Sequence, residues 1–131
     1  MKSELRKMRW VLDEGIPITP ALRHLLGEVQ VLSGRDINSI AISDAEVLLV
    51  RSITRVDAKL LQNSQVRFVG SATAGTDHLD VEVLARSDIA WSAAPGSNAV
   101  AGVEYVLSAI ALSGFLAPLL NGLPVGIVGL G

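Results

Sequence analysis

Val47-Leu48-Leu49-Val50 is an uninterrupted apolar run that ends at Arg51. A short run with no polar residue on either alternating side marks a strand buried on both faces. Such a strand belongs in a parallel sheet with helices above and below it. The flanking sequence fits that demand. Arg9–Leu12, Glu28–Leu32, Val66–Val69 and Ile89–Trp91 read as four further strands, and helix-start signals stand between them. Thr19-Pro20 offers a capping hydroxyl followed by a proline suited to the first helical position. Leu22, Leu25 and Leu26 share a face of that helix, and Gly27 is placed to close it in a left-handed conformation. Asp57 is set to cap the next helix, with Val56 and Leu61 as an apolar staple around its first turn, and Asp80 repeats the device with Leu79 and Leu84. Residues 37–44 are weaker and predict one helical turn. Asn98 or Ser97 opens a helix to about Leu116 that is apolar nearly all round, which predicts burial.

Strands and helices alternating through short connections predict one α/β domain over residues 8–120, a parallel sheet with helices on both faces. Asn121-Gly122 then makes a turn, and Val125–Val128 reads as the first strand of a second unit over residues 121–131.

Composition removes several functions. Eleven Lys plus Arg against 13 Asp plus Glu leave a formal charge of −2, so no excess charge draws the chain to nucleic acid or to an anionic membrane. With no cysteine there is no disulfide scaffold, thiolate metal site or thiol nucleophile, and with only two histidines, His24 and His78, a His-built metal site is not expected. The lack of cysteine fits a cytoplasmic protein. The uncharged stretch after Glu104 is broken by Gly114, Pro118, Asn121-Gly122 and Pro124, which argues against a membrane span of about 20 apolar residues. The basic N-terminus lacks the apolar stretch that a signal peptide needs.

Ligands of open parallel sheets bind beyond the carboxyl ends of the strands. Three polar or Gly-rich segments fall there: Arg51-Ser52, Gly70 to Asp77, and Ser92 to Asn98. Arg51 brings a permanent positive fork suited to phosphate or carboxylate. Ser52, Thr73 and Thr76 bring hydroxyls, and Gly75 lets backbone N–H groups approach an anion. Together they predict a small anion site. Such residues also populate ordinary loops. His78 is expected to be structural, bonding within the turn before the helix at Asp80, because neither a nucleophile nor a paired acid accompanies it. His24 receives no function, and Glu104 is a lone carboxylate in an apolar helix. Val125 to Gly131 runs an apolar strand into Gly129-Leu130-Gly131, the way a dinucleotide-binding unit begins.

Arg51-Ser52-Ile53-Thr54, the stretch Phe68 to Asp80 with its core Thr73-Ala74-Gly75-Thr76-Asp77-His78, Ser92 to Ala101, and Val103-Glu104-Tyr105-Val106 resemble the D-isomer-specific 2-hydroxyacid dehydrogenases, in the branch that acts on 4-phospho-D-erythronate in pyridoxal phosphate (vitamin B6) synthesis. The resemblance runs from about Met8 to Gly131. It implies a flavodoxin-like substrate domain into which a Rossmann NAD domain is inserted. It implies that Ser52 and Thr73 bind the substrate, a small phosphorylated hydroxyacid, with Arg51 beside them as a phosphate contact. Gly129 and Gly131 would open the NAD fingerprint, and the intact enzyme would be a homodimer. The family's catalytic Arg, Glu and His would lie past Gly131, and His78 is not among them. The expectation is therefore an N-terminal fragment of the oxidoreductase, inactive alone; the other expectation is a stand-alone phosphometabolite-binding module. Leu112–Leu123 departs from the family in being apolar where it carries charges.

Overall fold

A computed structural model describes residues 8–128. Five strands form one parallel sheet: β1 (Arg9–Asp13), β2 (Glu28–Leu32), β3 (Val47–Val50), β4 (Phe68–Ser71) and β5 (Ala90–Ser92), in the order β2-β1-β3-β4-β5. Short helices lie between them in sequence: α1 (Pro20–Arg23), α2 (Ala58–Leu61) and α3 (Val81–Arg86). The expected α/β architecture is thus present. The strand order reverses direction between β1 and β3, and that switch point is where open α/β sheets hold their ligands.

Local chemistry explains the elements. The Thr19 hydroxyl accepts from the Leu22 N–H, with Pro20 opening the helix, but α1 closes at His24, and Gly27 does not take the left-handed conformation expected of it. Asp57 accepts from the Leu60 N–H at 2.9 Å and Asp80 from the Val83 N–H at 3.0 Å. Both staple pairs, Val56 with Leu61 and Leu79 with Leu84, are buried. The weak stretch 37–44 is a turn held by Asn38, whose Oδ1 accepts from the N–H groups of Ile40 and Ala41, and it buries Ile37 and Ile42.

Two strands are displaced from expectation. β4 runs through Gly70 and Ser71, read as loop from sequence, because β3 offers them partners: Leu49 aligns with Gly70 and Val50 with Ser71. β5 shifts one residue for the same reason, aligning Gly70 with Ser92. Paired residues share a sheet face, so Val11, Leu48, Val50 and Val69 lie on one side. They join the staple residues and Ile42 in a continuous apolar core. Leu12 and Val47 are buried on the other side.

The chain divides into two compact units, the first ending at Gly96 and the second starting at Ser97. The second holds α4 (Ala99–Leu112) and α5 (Leu116–Leu120). α4 stops two residues before Gly114, which takes a positive φ of 80°, so the helix is shorter than the sequence suggested. Contrary to expectation, α4 buries none of its residues. Its apolar side chains are spread round the whole circumference, and one short neighbour cannot cover them. Val125–Val128, expected as a strand, forms none: an extended segment becomes a strand only when another pairs with it, and none among the described residues does. Gly129 and Gly131 lie outside the described residues.

Candidate functional site

The site sits where the carboxyl ends of β1, β3 and β4 come together. Asp13 ends β1, fully buried, and its Oδ1 accepts from the Gly15 N–H at 2.7 Å. Arg51, the first residue after β3, donates from Nε to the same oxygen at 2.7 Å. Two glycines make room for this pair. A Cβ on Gly15 would lie 2.7 Å from Arg51 Nη2 and closer still to the rest of the guanidinium, and a Cβ on Gly34 would strike the Asp13 carboxylate. Asp13 Oδ2 finds no hydrogen-bond partner among the described residues.

The positive charge expected at Arg51 is therefore present but tethered. A guanidinium has five N–H donors; one is spent on Asp13, and the side chain stays 37% exposed. The loop after it is fixed by its own bonds. The Thr54 N–H donates to the Arg51 carbonyl at 3.1 Å, and the buried Thr54 hydroxyl donates to the Gly34 carbonyl at 2.9 Å. Ser52 is exposed on that loop.

The second loop starts one residue past the Val50–Ser71 pair. The Ala72 N–H donates to the Val50 carbonyl at 2.9 Å, which carries the β3–β4 pairing to the edge. Thr73 Oγ1 lies 2.9 Å from Ser71 Oγ, and Ser71 Oγ lies 2.9 Å from His78 Nε2. Ser71 and His78 are both buried. His78 finds its side-chain partner at the end of β4, and not in the turn in which it was expected to bond. Burial lowers its pKa from the ordinary 6.5, against a smaller upward pull from Asp77. The Thr73 carbonyl accepts from the Ala94 N–H at 3.1 Å, tying in the loop after β5. A cavity of about 180 Å³ opens nearby, lined by Ile16, Leu49, Ser71, Ala72 and Ser92 among others.

Arg51, Ser52 and Thr73 thus stand on adjacent loops at one sheet edge, although none of the three lines that cavity. Gly75 is exposed, with open space where a side chain would be. Glu104 is exposed on α4. Sequence reasoning missed Asp13 and Ser71. Asp13 looked like the polar stop after β1, but it is the last residue of that strand and faces Arg51. Among the described residues no cluster of three metal-ligating side chains occurs, and no helix is long and apolar enough to cross a membrane.

Known proteins resemble this chain in sequence and in fold. The family model described as "D-isomer specific 2-hydroxyacid dehydrogenase, catalytic domain" matches residues 12–115. The erythronate-4-phosphate dehydrogenase of Azotobacter vinelandii is 54% identical over 103 residues, covering 79% of this chain and 27% of the relative. That of Teredinibacter turnerae is 49% identical over 124 residues, covering 95% of this chain and 33% of the relative. The chain spans about a third of the length of the curated relatives it matches. Among solved structures, the TT0316 protein of Thermus thermophilus superposes with a TM-score of 0.66 at 21% identity, over 92% of this chain and 43% of that one. The NAD+-bound 3-phosphoglycerate dehydrogenase of Entamoeba histolytica gives 0.58 at 24% identity, over 70% and 34%.

Proposed function

The chain belongs to the D-isomer-specific 2-hydroxyacid dehydrogenases and corresponds to part of their catalytic domain, and on that premise we propose that it carries the phosphate-recognition part of an enzyme acting on 4-phospho-D-erythronate. The substrate class is supported by relatives whose names give erythronate 4-phosphate. The observation that carries the proposal is Arg51, held by Asp13 at the β1–β3 switch point with most of its donors still to spend. In this reading Arg51 forks onto the phosphoryl oxygens, and the hydroxyls of Ser52 and Thr73 supply neutral donors beside it.

The reading assigns residues 8–120 to the substrate domain and 121–131 to the start of a dinucleotide domain. NAD would accept the hydride from the substrate's C2 in an intact homodimeric, cytoplasmic enzyme. Gly129 and Gly131, which would open the dinucleotide fingerprint, lie outside the described residues, so no hydride step is assigned to this chain. The chain alone is expected to bind the phosphorylated acid and to leave NAD unreduced.

Thermal melts with and without 4-phospho-D-erythronate test this, with unphosphorylated erythronate as the control. The phosphorylated acid should raise Tm, the control should not, and Arg51→Met should abolish the shift. An equal shift by both acids would overturn phosphate recognition. NAD reduction by the purified chain would overturn its expected inactivity.

A further inference from the structure

We propose that His78 is a positioning residue for Thr73: acting through the Ser71 hydroxyl, it fixes the order of protons so that Thr73 offers a proton, rather than lone pairs, at the strand ends. This rests on the anion site proposed above.

The argument is a count of protons and lone pairs. Ser71 Oγ has one proton and two lone pairs, and three groups meet it: the Thr73 N–H at 3.4 Å, Thr73 Oγ1 at 2.9 Å and His78 Nε2 at 2.9 Å. The Thr73 N–H can only donate, so it takes one lone pair. Thr73 Oγ1 also lies 3.4 Å from the Gly75 carbonyl oxygen, which can only accept. If the Thr73 proton turned toward Ser71, its own lone pairs would face those of Gly75. The Thr73 proton therefore belongs on Gly75. Ser71 then donates to Thr73, and its second lone pair accepts from a proton on His78 Nε2. Every proton in the chain then has one acceptor; the reverse order pairs its protons too but leaves the Gly75 carbonyl without the Thr73 donor.

The weakest link lies at the outer end. At 3.4 Å the bond to Gly75 is long, so the Thr73 hydroxyl can swing its proton to an incoming anion while still accepting from Ser71. The inner link from Ser71 to His78 is buried, where an unmade hydrogen bond costs most. Burial also favours the neutral imidazole, which makes the choice of nitrogen consequential: Nε2 carries the proton and Nδ1 is bare. A role confined to filling space would be indifferent to that choice.

The test uses the full chain labelled with ¹⁵N, long-range ¹H–¹⁵N correlation of His78 at pH 8, and titration with inorganic phosphate. The expected spectrum shows a proton-bearing Nε2 and a bare Nδ1. His78→Leu should weaken phosphate binding by about fivefold, the effect of one hydrogen bond of about 1 kcal/mol. His78→Gln, whose amide can donate like Nε2–H, should restore most of that. In a Thr73→Val background the His78→Leu loss should vanish, because the two act in series. A proton on Nδ1 in the native chain overturns the proposal, whatever the variants do. An undiminished His78→Leu loss in the Thr73→Val background overturns it as well. Failure of the native chain to bind phosphate, with Nε2 protonated, would instead refute the anion site and leave the proton order standing.

Discussion

Arg51 reaches Asp13 across space that two glycines leave open, and this gives Gly15 a role that its own sequence context hides. Gly15→Ala would push a methyl against the guanidinium. The far end of a flexible side chain can move aside, so stability should change little while phosphate affinity falls roughly fivefold, the share of one lost hydrogen bond. Titration calorimetry beside a thermal melt separates the two effects. Arg51→Met should act differently, because it strands the buried Asp13 carboxylate without its cation. A loss of about 1–3 kcal/mol in urea unfolding is expected. His78 adds a pH dependence. Its folded pKa lies below 6.5 because burial disfavours the charged ring. The unfolded chain therefore binds the proton first, and stability falls as pH drops through 6.5 toward the folded value. Urea midpoints between pH 8 and pH 5 should show this fall, and His78→Gln should remove that part of it. Arg51 and Thr73 were legible in the sequence as residue types at strand ends. Asp13 was not, because its partner stands 38 residues away and only the sheet brings the two together.

The helices that begin at Asp57 and Asp80 show how much a short element owes to its first turn. Each has six residues or fewer, too short to stand alone in water. Each is held by one side-chain cap and one apolar staple. Asp57→Ala or Asp80→Ala should cost about 1 kcal/mol apiece. Leu84→Ala, on the buried face of α3, should cost roughly 2–5 kcal/mol. A cap loss larger than the core loss would show that the staple carries little. These elements could be read in advance because their signals are local. β4 and β5 moved because their ends depend on a neighbouring strand, which no local pattern reports. The burial expected of α4 failed for a related reason. An apolar circumference states a need for cover, and the described residues of its own unit do not provide it.

At the scale of the whole molecule, the strand order explains why residues from three parts of the chain meet. The chain builds β1 first, adds β2 on one side, then crosses to β3 on the other. Connections leave such a switch point in opposite directions, and Asp13 and Arg51 meet there. That the sheet is parallel followed from the apolar run at Val47–Val50 together with the alternation of elements; the order of its strands did not. The most direct test of the account is titration of the ¹⁵N-labelled chain with 4-phospho-D-erythronate, following backbone amides. Saturable shifts should concentrate at Arg51, Ser52 and Thr73, and Arg51→Met should remove them. Saturable binding that leaves those three amides unmoved, or that survives Arg51→Met undiminished, would contradict it.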